Sequence, residues 1–199
     1  MSHPAESPSA PAESSEDSTL NTAISLAVAL AGTFMALSSV KTGNLAQAMQ
    51  DAQARKINNW SYFQAKSTKQ NLAEGSLEQL RTLHSLSPQA PPEVLAALEK
   101  KITDLQQKIE RYEREKAEIK AEAEAMEKKY DALNEIDDQF DLSDAAMSVG
   151  IALAGVSALV KRRSLFTVSV VFLAFGFFMG ACAFLGFSFE IPFLSKWLS

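Results

Sequence analysis

The densest set of recognition groups in this chain is the run Asn58-Asn59-Trp60-Ser61-Tyr62-Phe63-Gln64-Ala65-Lys66-Ser67-Thr68-Lys69-Gln70. Its aromatic rings, ammonium groups and amides suit binding by stacking, cation–π contact and hydrogen bonding. On a helix, positions one or two apart diverge around the axis, so Trp60, Tyr62 and Phe63 do not all face one neighbouring helix. Some of them meet a neighbouring protomer, a partner protein or lipid. The candidate interaction residues are Asn59, Trp60, Tyr62, Phe63, Gln64, Lys66 and Lys69. For Trp60, Gln64 and Lys66, packing and ligand binding both stay open.

A second group is acidic: Glu135, Asp137, Asp138, Asp141 and Asp144. Calcium accepts such oxygens, but the spacing lacks the glycine of a calcium loop. Asp141 and Asp144 read more simply as cap and first-turn residues of a helix starting there. The chain has only His3 and His84 as histidines, and Cys182 as its single cysteine, inside an apolar run. It has no glycine-rich phosphate loop and no serine-nucleophile motif. The expectation is a protein that is not an enzyme and holds no metal or cofactor.

The charges lie in one block. Of the 19 Lys and Arg, 15 fall between Lys41 and Phe140, beside 17 of the 24 Asp and Glu. A nearly balanced block fits a helix pair laced with opposite charges, and no basic footprint for nucleic acid stands out.

These residues sit on long helical patterns. Residues 1–19, rich in Ser, Pro, Ala and Glu, read as a disordered tail. Residues 20–40 carry no charge and are long enough to cross a hydrocarbon core of about 30 Å, as an uncleaved anchor rather than a signal peptide. Residues 41–140 predict an antiparallel helical hairpin, with arms 41–86 and 92–140 and a turn at 87–91. Each arm would span roughly 70 Å at about 1.5 Å per residue. Residues 142–160 and 165–187 predict two further spans joined by a basic turn at 161–164, and 188–199 an interfacial tail. The fold class is all-α: a membrane protein of three transmembrane helices, with a long antiparallel coiled-coil hairpin between the first and second.

The second arm keeps a heptad seam from Leu95 to Leu133, broken only by Lys116. The first arm is less regular. Folding at about Gln89 sets Leu83 against Leu95, Leu80 against Leu98 and Leu72 against Leu105, with Lys66 and Lys69 opposite residues 110–115. In the spans, Ala146, Gly150 and Ala154 form one small-residue ladder, and Gly176 and Gly180 form a GxxxG. Such ladders let helix backbones approach closely, within one bundle or between copies.

The run Asn59-Trp60, Tyr62, Gln64-Ala65-Lys66 and Lys69 resembles the signature of an uncharacterised bacterial membrane family, domain of unknown function 4337. The resemblance extends to the upstream apolar helix, to Phe140-Asp141-Leu142 and to the basic turn. It implies residence in a bacterial cytoplasmic membrane and supplies no activity. The resulting expectation is a membrane-anchored coiled-coil scaffold, tether or adaptor with an unknown protein partner. The alternatives are a homo-oligomeric pore or channel subunit, or an accessory subunit of a larger membrane complex. Lys161-Arg162-Arg163 in the shortest loop favour a cytoplasmic turn, which sets the hairpin outside the cytoplasm.

Overall fold

The structure, a computed structural model, describes residues 15–187. They form three helices: α1 over Ser15–Leu86, α2 over Pro92–Val160 and α3 over Arg163–Phe184. All three contain stretches long and apolar enough to cross a membrane.

Several boundaries differ from those expected. Ser15–Thr19 belong to α1 rather than to a tail, while residues 1–14 and the tail at 188–199 lie outside the described residues. No break separates the first apolar segment from the first hairpin arm, because neither proline nor a cap interrupts the Ala-, Gln- and Leu-rich sequence after Val40. The second arm likewise runs unbroken into the second apolar segment. Asp141 and Asp144 therefore lie inside α2 and cap nothing.

The ends that do exist follow from local chemistry. Pro88 disfavours a helical Ser87, so α1 stops at Leu86. Pro92 opens α2 where a missing N–H costs nothing, and the Pro91 carbonyl accepts from Val94 (2.9 Å) and Leu95 (3.2 Å). The basic turn contracts to Lys161 and Arg162, since α3 begins at Arg163. Lys161 adopts φ 54°, a left-handed conformation that costs a non-glycine residue about 1–2 kcal/mol. The Ser157 hydroxyl holds the turn by donating to the Arg162 carbonyl at 2.9 Å. At the far end of α3, Gly186 at φ 76° closes the helix. Phe187 N–H donates to Cys182 O at 3.0 Å and Gly186 N–H to Ala183 O at 3.2 Å.

The chain divides into two compact units. One is the hairpin, Gln47–Leu133. Here the two arms run antiparallel, as the cross-pairs Lys56–Glu127 and His84–Glu99 require. Every seam residue of α2 from Leu95 to Leu133 is buried or half-buried, Lys116 included. The α1 seam has the same repeat but only some of the expected apolar occupants, Leu80 among them. It runs through Met49, Ala52, Lys56, Asn59, Phe63, Lys66, Gln70, Ala73, Leu77, Leu80 and His84. Ile57, Leu72 and Leu83 stand outside it at 56%, 68% and 50% exposure. The pairs are centred on Pro91–Pro92 rather than on Gln89, which moves Leu72 and Leu83 off the partner helix.

The other unit comprises, among the described residues, 15–46 and 134–187. Three helical segments pack around two apolar clusters. Leu20, Ile24 and Ala154 make one, and Ala31, Met147 and Leu173 the other. Phe140 is fully buried and meets Phe184 edge-on at 5.1 Å between ring centroids. Full burial of a side chain of this size contributes about 1.5–3 kcal/mol.

Candidate functional site

The aromatic run divides between two faces of α1. Its inward side carries Asn59, Trp60, Phe63 and Lys66, all half-buried. Trp60 and Phe63 pack edge-to-face with centroids 5.5 Å apart. Its outward side carries Tyr62, at 57% exposure, together with the exposed Gln64 and Lys69.

The inward side belongs to a polar layer across the hairpin. Lys66 donates to Glu115, and its ammonium lies 5.2 Å from the centroid of the Tyr112 ring. Arg111 flanks both, 3.6 Å from Glu115 and 5.6 Å from the Tyr112 centroid. Lys116, the polar residue in the α2 seam, donates to Gln70 Oε1 at 3.0 Å and lies 5.5 Å from the Phe63 centroid. Gln70 passes its own N–H to Glu74 at 2.8 Å. The Lys66 hydrogen bond holds the Glu115 carboxyl below the usual carboxylate range. The charges of Lys66, Arg111 and Lys69 add to that effect, against the opposing effect of burial. Further along, Lys56 pairs with Glu127 at 2.7 Å, and this bond raises the lysine above its ordinary value. The layer is mutually satisfied. Polar groups of this kind in a coiled-coil seam can specify register.

Sequence reasoning missed Tyr112, Gln70 and the Lys56–Glu127 pair as members of this layer. The available signal was charge: Lys56 and Glu127, like Lys66 and Glu115, stand at nearly equal distances from the turn.

In the second unit, Ala146, Gly150, Ala154, Gly176 and Gly180 are all buried. A β-carbon on Gly176 would lie 2.5 Å from Met147 Cγ and 2.8 Å from the Ser143 carbonyl oxygen. One on Gly180 would lie 2.6 Å from the Phe34 ring. Serine hydroxyls use these close approaches. Ser143 donates to Gly176 O and Ser169 to Gly150 O, each at 2.7 Å, while Gln139 donates to Met179 O at 3.0 Å. Polar residues inside apolar runs were the overlooked sign of these bonds.

The acidic residues between 135 and 144 are not gathered on a common centre. Asp138 accepts from Asn134 at 3.2 Å. Burial, then the charges of Asp141 and Asp138, push the Asp137 carboxyl above its usual range. Among the described residues, no group of three or more His, Cys, Asp or Glu side chains is placed to hold a metal ion. His84 stands near the hairpin turn, 3.7 Å from Glu99.

With this arrangement in view, the family comparison is decisive. The family model described as Domain of unknown function (DUF4337) matches residues 20–186. The chain belongs to that family. The match takes in both hairpin arms, the polar layer and the glycine contacts, so these features lie within the family's domain. No curated protein and no solved structure matches the chain.

Proposed function

We propose that this member of the family is a membrane-anchored coiled-coil adaptor or tether, with the hairpin as its protein-binding limb. One observation carries the reading. The hairpin uses Phe63 and Lys66 in its own seam, with Trp60 packed on Phe63, and leaves Tyr62 exposed with Lys69 two turns along the same edge of α1. An exposed tyrosine on the same edge as an ammonium suits protein contact, since tyrosine offers apolar area at low entropy cost. The apolar stretches in all three helices supply the anchor. Lys161 and Arg162, in the short turn, favour a cytoplasmic loop and so a hairpin outside the cytoplasm of a bacterial cell.

The pore reading needed Gly176 and Gly180 for contacts between subunits. Met147, Ser143 and Phe34 of the same chain fill that space, which weighs against it. The test is affinity purification of the full chain from its native membrane, beside Tyr62→Ala and Lys69→Ala. Loss of a specific co-purifying protein with helicity unchanged supports the reading. Identical co-purification from all three chains removes Tyr62 and Lys69 from the binding surface.

A further inference from the structure

The back of α1 has a heptad of its own. From Ala54 to Leu86, alternate steps of four and three mark ten exposed positions, and none of them is charged. The corresponding outward stripe of α2 carries Lys100, Asp104, Arg111, Arg114, Glu118 and Lys128. A solvated helix back has no physical need to exclude charge, and α2 shows the ordinary alternative. Leu72 and Leu86 lie on the α1 stripe at 68% and 76% exposure, with Tyr62 and Leu83 along its edge.

The polar members of the stripe are already prepared for burial. The hydroxyls of Ser61, Thr68 and Thr82 donate to the carbonyls four residues back, at 3.0, 3.0 and 2.9 Å. Covering them removes no unmet donor from water. Lipid is a poor cover, because Asn58 and Gln79 on the same stripe would enter it unpaired. The α2 back is a poor cover too, because its charges would lose water against an uncharged face.

We infer that the stripe pairs with the same stripe of a second copy, in a parallel two-fold contact. This goes beyond the adaptor reading, leaving Tyr62 and Lys69 at the rim of the pair, and rests on that reading for direction, since two α1 helices starting from one membrane run the same way. A parallel pair sets each stripe position against itself, Leu72 on Leu72 and Ala65 on Ala65. Edge residues then meet five positions apart. Ile57 meets Tyr62, Gln64 meets Lys69 and Glu78 meets Leu83, so no like charges are opposed.

The test places single cysteines in the full chain carrying Cys182→Ser, in native membranes, under mild oxidation. Ala65→Cys and Leu72→Cys should each give disulfide-linked dimer at least about tenfold above Gln107→Cys on the α2 back. In mild detergent, light scattering should show a dimer that Leu72→Glu shifts at least about tenfold toward monomer, since the glutamate would be buried without a partner. Cross-linking only in a mixture of Ala54→Cys and Leu86→Cys chains means antiparallel pairing and overturns the inference. A monomeric wild type whose Leu72→Glu variant sheds a different protein also overturns it, while leaving the adaptor reading standing. A monomer that sheds nothing overturns it as well, and the adaptor reading then depends on the Tyr62 comparison alone.

Discussion

Lys66 on α1 donates to Glu115 on α2, so the half-buried ammonium finds its counter-charge on the opposite arm. An ion pair in a coiled-coil seam contributes less to stability than apolar packing of the same volume, but it rejects wrong registers. Replacing Lys66, Gln70, Glu115 and Lys116 together by leucine should raise the melting temperature by several degrees while loosening the alignment of the arms. Spin labels at positions 56 and 127, which lie opposite each other in the native pairing, report the second effect. The expected outcome is a broader distance distribution at higher thermal stability. A narrow distribution at the native distance would show that the layer does not set the register.

The same pair gives the hairpin a pH dependence of known sign. The folded Glu115 carboxyl has its pKa lowered, chiefly by the Lys66 hydrogen bond. Its contribution is therefore complete above the unfolded value of about 4.3 and is lost as pH falls through the lower folded value. Glu115→Gln should lower the melting temperature at neutral pH. The gap from the native chain should close as both are acidified below about pH 4. Circular dichroism melts across that range check the convergence.

The legibility of this chain varied from arm to arm. The α2 seam could be read because apolar residues fill it from Leu95 to Leu133, with Lys116 alone excepted. The α1 seam could not, because Lys56, Asn59, Lys66 and Gln70 occupy it while Ile57, Leu72 and Leu83 stand outside. Hydrophobicity alone adds Ile57, Leu72 and Leu83 wrongly there, whereas charge matching about the turn finds Lys56 with Glu127 and Lys66 with Glu115. Helix continuity was hidden for another reason. Asp141 and Asp144 have the composition of a helix start, but no proline or glycine near them breaks α2. The small residues of the spans were visible as packing elements. Their partners Ser143 and Ser169 were not, because a serine in an apolar run does not announce which carbonyl it will reach.

Asp137 should respond to acid in the opposite direction from Glu115. Burial first, then the charges of Asp141 and Asp138, raise its folded pKa above the unfolded one. The folded state then binds more protons, so the penalty is fully present above the folded pKa and disappears as pH falls toward the unfolded value of about 3.9. Asp137→Asn should therefore stabilise the chain at neutral pH, by an amount that shrinks on acidification. Thermal melts in mild detergent at pH 7 and pH 4 test this. A variant less stable at pH 7 would mean that the carboxylate makes a contact worth more than its desolvation.

The proposed orientation, with the hairpin outside the cytoplasm, puts its turn within reach of reagents that do not cross the membrane. Ser85 is exposed at the end of α1 and Cys182 is half-buried in α3, so Ser85→Cys adds one accessible thiol. Intact cells, with any outer envelope permeabilised, should be labelled by an impermeant maleimide before lysis. Labelling confined to lysed cells would reverse the orientation and make a cytoplasmic partner the one to seek.

Gly176 should be the least replaceable glycine of the second unit. At Gly150 an added β-carbon meets Leu173, largely at its side chain, and at Gly180 it meets the Phe34 ring and the Ser143 hydroxyl. Side chains, even buried ones, shift more readily than a helix backbone does. At Gly176 the obstacle includes the Ser143 carbonyl oxygen at 2.8 Å and the Met147 nitrogen at 3.1 Å, both backbone atoms of α2. Relief requires α2 and α3 to separate, which also stretches the 2.7 Å hydrogen bond from Ser143 to the Gly176 carbonyl. Gly176→Ala should cost about 1–3 kcal/mol, the range for overpacking a tight contact. Gly155→Ala, with nothing within 4 Å of its new carbon, should be neutral or slightly stabilising, because alanine is the better helix former. Unfolding of both variants in the same detergent decides the matter. Equal stability of the two would show that α2 and α3 are not held by this approach.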